Sequence, residues 1–304
     1  MSARRLSALL AALAALVLAL AACGQATQAP PAAEPAPVAV QEAAPVAPAT
    51  TDVKLVVGDY LAGMPEGFNA ITKVEGLTEL MASGDPLIVD VREPAEYAEG
   101  HIPGSVNIPI RTLAQNLDKI PTDRPVVLTC ASGLRASFAT TALQLLGYTN
   151  ARDFFPSFKG WTAANLEVST EATEAAVVGA PEVDPTVLAE VDAFLAGLPE
   201  GFYSVGKVEA LKEMMDAGNV TVVDVREASE FAEGRIPGAI NIPLRTLGQN
   251  LDQIPTDQPV VLSCASGLRC SLATPALHIA GLTNVRTFPP SFKGWSAAEM
   301  AIEK

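Results

Sequence analysis

The sequence predicts an α/β protein of two similar domains, each a mainly parallel sheet flanked by helices, and three observations predict it. The first is a repeat without insertions. Asp90-Val-Arg-Glu returns at Asp224, Cys130-Ala-Ser-Gly-Leu-Arg at Cys264, Pro65-Glu-Gly-Phe at Pro199 and Pro156-Ser-Phe-Lys-Gly-Trp at Pro290, each 134 residues on. Roughly six positions in ten match between 53–170 and 187–304, and a period this long means duplicated domains rather than a solenoid. The second is an alternation of short apolar runs with helical spacing inside each copy. The third is capacity: 304 residues, 49% of them hydrophobic, suffice for two packed cores.

Taken from the N-terminus, residues 1–22 read as an export signal and not as part of the fold. Arg4 and Arg5 precede an apolar run from Leu6 to Ala22 broken only by Ser7, too short and poorly flanked for a comfortable membrane span. Leu20-Ala21-Ala22-Cys23-Gly24 resembles a bacterial lipoprotein lipobox. The resemblance implies cleavage before Cys23 and lipid on its sulfur and amine. The expected location is therefore outside the cytoplasm, on the outer face of the cell membrane or in the periplasm or outer membrane. Residues 23–52 form an Ala/Pro-rich tether, where Pro30, Pro31, Pro35, Pro37, Pro45 and Pro48 forbid helix propagation. The first domain is placed at 53–170, a linker at 171–186 and the second domain at 187–304.

Within the first copy, Lys73 to Ser83 carries Val74, Leu77, Leu80 and Met81 at helical spacing. Leu87-Ile-Val-Asp-Val suits a buried strand, Arg111 to Leu117 a short helix, and Pro125-Val-Val-Leu-Thr-Cys a second buried strand. Ala136 to Leu146 is a longer helix ending at Gly147, and Phe154-Phe155 marks a last strand. Continuous apolar strands separated by helices predict a parallel sheet covered on both faces. In such sheets ligands gather beyond the carboxyl ends of the strands, where Cys130 and Cys264 fall.

Composition excludes several functions. Twenty Lys+Arg against 34 Asp+Glu give a net charge of −14, unlike the basic face of a nucleic-acid binder and unsuited to adhesion on anionic lipid heads. Two His leave little for a His-rich metal site, and four scattered Cys do not make a disulfide framework.

The Cys-Ala-Ser-Gly-Leu-Arg loop is where chemistry is expected. A cysteine that ends a strand before a Gly-bearing loop and a helix start faces unpaired N–H groups and the positive end of the helix dipole. Gly133 and Gly267 allow a tight curve that turns N–H groups inward, and Arg135 and Arg269 add a permanent cation at the far end of the loop. These features favour thiolate. Lowering the pKa by ~2 from ~8.5 raises the thiolate fraction at pH 7 from about 3% to about three quarters, for roughly 2.7 kcal/mol.

Asp90-Val-Arg-Glu, Gly100-His-Ile-Pro-Gly-Ser-Val-Asn-Ile-Pro and Cys130-Ala-Ser-Gly-Leu-Arg-Ala-Ser, with their second-copy equivalents, resemble the signatures of a rhodanese domain, so the chain looks like a tandem rhodanese protein. The resemblance implies a sulfurtransferase that needs no cofactor. Cys130 and Cys264 would attack the outer sulfur of thiosulfate, expel sulfite, hold a persulfide and pass the sulfur to cyanide or a thiol. Ser132, Gly133, Ser266 and Gly267 would line the anion cup, and Arg135 and Arg269 would hold the sulfonate or tie down the loop. Lys159 and Lys293 stand where the family usually has a glycine-rich turn, and add charge at the rim or stay solvated. The partners expected are small sulfur compounds and, through the anchor, a membrane.

Asp90, Arg92, Asp224 and Arg226 are read as ties between a strand end and neighbouring backbone, and Trp161 and Trp295 as packing. His101 is replaced by Arg235 in the second copy, which argues against an essential base. A cysteine phosphatase is the nearest rival, but carries five residues between Cys and Arg where this chain has four. A non-catalytic binding module is the other, and such modules often lose the cysteine that both copies keep. Cys270, whose counterpart is Ala136, is read either as a small buried residue or as a partner able to pair with Cys264 or accept its sulfur.

Overall fold

The computed structural model describes residues 51–304. The export signal, Cys23 and nearly all of the tether lie outside the described residues. The first copy runs α1 (Val53–Ala62), β1 (Ala70–Ile71), α2 (Val74–Gly84), β2 (Leu87–Asp90), α3 (Pro94–Glu99), β3 (Val106–Asn107), a 3-10 segment (Ile110–Lys119), β4 (Val126–Thr129), α4 (Leu134–Leu145), β5 (Ala151–Phe154) and α5 (Ser157–Ala163). The second runs α6 (Pro185–Ala196), α7 (Val208–Asp216), β6 (Thr221–Asp224), α8 (Ala228–Glu233), β7 (Ile240–Asn241), α9 (Leu244–Leu247), β8 (Val260–Ser263), α10 (Leu268–Ile279), β9 (Val285–Thr287) and α11 (Ser291–Ala297).

Both sheets are wholly parallel, ordered β1-β5-β4-β2-β3 and β7-β6-β8-β9. The predicted fold class holds. β2 and β4 are buried at every position, as strands covered on both faces must be, hence their unbroken Val/Leu/Ile runs. The first-copy helix predicted from Ala136 starts two residues earlier, at Leu134, because the glycine before it turns the chain straight into the helix. The short helix predicted at Arg111 is a 3-10 segment broken at Asn116 (φ −125°). The linker continues the first copy: the Thr173 N–H donates to the Tyr97 hydroxyl (3.4 Å) and the Val178 N–H to the Asp118 carbonyl (2.7 Å).

The leading helices exchange places. α1 packs chiefly on α9 and α10 of the second copy, and α6 on the 3-10 segment of the first. α1 starts at Asp52, whose carboxylate accepts from the Lys54 N–H, and α6 at Asp184, which accepts from Thr186 and Val187 with Pro185 in the first turn. α4 and α10 lie against each other, and one apolar cluster runs through both copies. Pro275 removes an amide donor from the middle of α10, and the Thr141 hydroxyl of α4 donates to the Leu272 carbonyl three residues back (3.0 Å). Boundaries at 53 and 187 describe the repeat in sequence. In space, each copy's first helix belongs to the other's core.

Where α1 crosses α9 the backbones nearly touch: a Cβ on Gly248 would lie 2.4 Å from the Gly58 Cα. Gly248→Ala is therefore expected to lower the unfolding free energy by about 1–3 kcal/mol. Gly206→Ala, where an added Cβ meets nothing within 4 Å, should change it by less than ~0.5 kcal/mol. Equal shifts in a denaturant titration would contradict the crossing.

One buried group sets a pH dependence. Asp153 is fully buried, and its carboxyl shares the Ser137 hydroxyl (2.5 Å) with the Gly133 carbonyl (3.1 Å). Burial, only partly offset by the Ser137 hydrogen bond, pushes its pKa up to about 7. A folded-state value above the unfolded one means that folding holds the proton more tightly, so this group's stability contribution is lost as pH rises from about 4 to about 7. Asp153→Asn keeps an acceptor for Ser137 without the titration. Between pH 5 and pH 8 its stability should gain about 2–3 kcal/mol on the parent chain, and a pH-independent difference in denaturant titrations would refute this.

Candidate active site

Each cup is built from a strand end, a tight loop and a helix start. β4 delivers Cys130 and β8 delivers Cys264, each 1% exposed. Four residues on, α4 and α10 begin, with Gly133 (φ 103°) and Gly267 (φ 104°) as the residues before the first turn. A Cβ at either glycine would lie 2.5 Å from a backbone oxygen, that of Phe155 or Pro289. Both the positive φ and the close approach demand glycine. The Gly133 N–H donates to Cys130 Sγ and the Gly267 N–H to Cys264 Sγ, each at 3.2 Å.

The floor comes from the Pro-Ser-Phe-Lys-Gly-Trp segment. The Cys130 N–H donates to Ser157 Oγ and the Cys264 N–H to Ser291 Oγ, each at 3.1 Å. The serine oxygens lie 3.7 Å and 3.5 Å from the respective sulfurs. Ser157 and Ser291 hold φ near 50°, unusual without glycine. The Lys159 and Lys293 N–H groups donate to the carbonyls of Ala131 and Ala265, while their side chains are exposed. Neither lysine lines the cavity at Cys264. Ser132 and Ser266 are exposed at the lip.

Burial would raise the Cys264 thiol, but hydrogen bonds from Cys270, Ser291 and the Cys270 and Gly267 N–H groups outweigh it and hold the thiol well below its usual value. Arg135 and Arg269 are each clamped by a bidentate carboxylate: Arg135 to Glu96 at 2.6 and 2.7 Å, Arg269 to Glu230 at the same distances. The guanidinium holds each glutamate below its ordinary value, chiefly through these hydrogen bonds. Among the described residues, no group of three or more His, Cys, Asp or Glu is placed to hold a metal ion.

The roof comes from the other copy. A cavity of about 460 Å³ over Cys264 is lined by Ala265, Ser266, Leu268, Arg269 and Arg245 of the second copy and by Glu66, Gly67, Phe68 and Thr72 of the first. Arg245 donates to the Met64 and Pro65 carbonyls (2.9 and 3.0 Å), and the Arg245 and Arg269 guanidiniums lie 5.2 and 5.6 Å from the Phe68 ring centroid. The first copy mirrors this: Arg111 donates to the Leu198 carbonyl (3.0 Å), and Arg111 and Arg135 lie 5.4 and 5.5 Å from Phe202. Phe68 (φ 57°) and Phe202 (φ 51°) both take the left-handed conformation, a local cost of order 1–3 kcal/mol that aims each ring across the join.

Other sequence readings fall where expected. Arg92 and Arg226 fork onto Asp90 and Asp224 and reach the Gly100 and Gly234 carbonyls. His101 stacks on Tyr97 and bonds the Tyr97 and Glu171 carbonyls, and Trp161 and Trp295 are buried. Sequence reasoning missed Ser157, Ser291, Phe68, Phe202, Arg111, Arg245, Glu96 and Glu230. Four of these sit in motifs whose duplication was noticed.

Comparison with known proteins identifies the repeated unit. The family model for the rhodanese-like domain matches residues 73–164 and again 207–298. The 3-mercaptopyruvate sulfurtransferase of Escherichia coli is 25% identical over 242 residues, 68% of this chain and 85% of that protein. The human thiosulfate:glutathione sulfurtransferase is 34% identical over 99 residues, 28% of this chain and 86% of that one. An uncharacterized Bacillus subtilis protein is 40% identical over 74 residues, and the match spans 59% of its length. The crystal structure of an E. coli 3-mercaptopyruvate enzyme aligns at TM-score 0.37 with 21% identity, over 73% of this chain and 98% of that one. The repeat found in the sequence is thus a repeat of a known domain, and the chain belongs to the rhodanese-like sulfurtransferase family, with two rhodanese-like domains in tandem.

Proposed function

We propose that each cup moves a sulfane sulfur from thiosulfate, or a related donor, to a thiophilic acceptor such as cyanide or a thiol. The observation that carries this is the buried Cys264 sulfur held below its ordinary pKa against the Gly267 N–H at the start of α10. A thiolate there attacks the outer sulfur of thiosulfate. The sulfur–sulfur bond of the donor breaks, sulfite leaves with the electron pair, and the cysteine keeps a persulfide. The persulfide anion occupies the cup, where inward N–H groups stabilise it. The acceptor then attacks the outer sulfur and frees the thiolate.

The cavity wall carries Arg269 and Arg245 beside Glu66, Glu227 and Glu230, and the two guanidiniums are the groups there that can meet an anionic donor carrying a transferable sulfur. Ser266 and the Gly267 N–H, with Ser132 and Gly133 in the first copy, contact the bound sulfur. Arg269 and Arg135 act on the donor's anionic end while their glutamates fix their orientation. Lys159 and Lys293, exposed beside the loop, add positive charge outside the cup. The 3-mercaptopyruvate relative makes that keto acid the competing donor. The whole body hangs from lipid on Cys23, outside the cytoplasm, and Cys23→Ser is expected to move the protein from the membrane fraction to the soluble one.

Incubation with thiosulfate followed by peptide mapping should place one extra sulfur, ~32 Da, on Cys130, and on Cys264 in the Cys270→Ser chain. Cys130→Ser with Cys264→Ser should abolish thiocyanate formation from thiosulfate and cyanide, and survival of that activity would overturn the assignment. Loading by 3-mercaptopyruvate alone would replace thiosulfate as the donor. The roof gives a crossed prediction. Phe68→Ala should lower turnover by Cys264, measured in the Cys130→Ser chain, by about tenfold, the equivalent of ~1.4 kcal/mol. It should leave turnover by Cys130, measured in the Cys264→Ser chain, near its starting value. Loss confined to Cys130 would contradict the exchange.

A further inference from the structure

Behind the cups the two copies differ in a matched pair of positions. Ala136 and Asp153 of the first copy are replaced in the second by Cys270 and Thr287. Cys270 is fully buried, with its Sγ 3.8 Å from Cys264 Sγ. The Thr287 hydroxyl donates to Cys270 Sγ (3.2 Å), and the Gly267 carbonyl oxygen and Ser291 Oγ lie 3.1 and 3.4 Å from the same sulfur. Cys264 lines the cavity and Cys270 does not. The Cys264 sulfur therefore stands between the cavity and a second thiol. A sulfur accepted from the cavity leaves the opposite side of Cys264 facing Cys270, the approach that thiol–disulfide exchange requires. Bonding distance is ~2.05 Å, so the sulfurs need to close by less than 2 Å.

The geometry points to Cys270 as a resolving thiol that makes the second copy a hydrosulfide-releasing dithiol centre, which the first copy is not. This rests on the sulfurtransferase reading of the same cup. Cys270 Sγ bonds to Cys264 Sγ, and the bond between Cys264 Sγ and its outer sulfur breaks. The outer sulfur leaves with the electron pair and the Cys270 proton as hydrosulfide. Two thiol sulfurs are oxidised to a disulfide and one sulfane sulfur is reduced, so no outside oxidant is needed. A dithiol reductant then restores both thiols. Burial first, then the adjacent Cys264 charge, keeps the Cys270 thiol protonated at rest. Once the persulfide charge moves to the outer sulfur, the second of these restraints weakens. With Ala136 in place of a second thiol, the first copy holds its sulfur for an external acceptor.

The test uses full-length chains incubated with thiosulfate and no acceptor, then alkylated, digested with trypsin and mapped, with released hydrosulfide measured. Trypsin cuts after Arg269 and separates the two cysteines. The Cys130→Ser chain should release about one hydrosulfide per loaded chain, and its Cys264 and Cys270 peptides should remain linked. Cys130→Ser with Cys270→Ser should keep Cys264 as the persulfide and release none, as should the Cys264→Ser chain at Cys130. A Cys130→Ser chain that holds its persulfide without releasing hydrosulfide overturns the inference. If no chain takes sulfur from thiosulfate or 3-mercaptopyruvate, the sulfurtransferase reading fails. One equivalent of hydrogen peroxide then tests the thiol pair alone. It oxidises Cys264 to the sulfenic acid, and attack by Cys270 with loss of water should link the same peptides. Cys264 oxidised with its peptide unlinked overturns the resolving role.

Discussion

A sulfur with 1% exposure is a poor place for negative charge, because burial penalises the ionised form. At Cys264 that penalty is outweighed by hydrogen bonds, first from the Cys270 and Ser291 side chains and then from the Cys270 and Gly267 N–H groups, the last supplied by a loop the chain can form only at a glycine. The Gly267 N–H reaches the sulfur because the loop folds back until a side chain there would strike the Pro289 carbonyl. The same closeness fixes Gly133 against Phe155. Strand, loop and helix are thus assembled around one requirement, that backbone N–H groups meet a sulfur where water is nearly excluded.

The exchange of leading helices follows from where that sulfur sits. An open cup at a sheet's carboxyl edge needs a wall on its outer side, and neither copy supplies its own. The loop after α1 lays Phe68 over the second cup, and the loop after α6 lays Phe202 over the first, each ring against two arginines of the opposite copy. The left-handed turns that aim these rings are strained and are held by arginine bonds to the same loops. Duplication therefore does more than repeat a cup: each half lays an aromatic ring against the other's arginines.

Much of this was legible in the sequence. The 134-residue repeat and the apolar runs of β2 and β4 declared the fold class, and the cysteine at the strand end the place where the cup forms. The motif Pro-Glu-Gly-Phe was visible as a repeat, but its target was not. Two copies with the same motif at the same offset look alike whether each loop caps its own cup or its neighbour's, and the close passage of Gly58 and Gly248 leaves no periodic signal. Glu96 and Glu230 were hidden for another reason, since a helix-capping glutamate that also clamps an arginine 39 residues away reads locally as a cap. The Asp153–Thr287 difference acquires meaning only when it is seen to face the Ala136–Cys270 difference.

The central claim is that the cup keeps a buried cysteine sulfur charged. It is tested most directly by the pH dependence of alkylation of Cys264 in the Cys130→Ser chain, with the modified site identified by peptide mapping. The account predicts a rate already at its plateau at neutral pH that declines only on acidification. A rate still climbing through about pH 8–9, as for an ordinary thiol with a pKa of ~8.5, would contradict it.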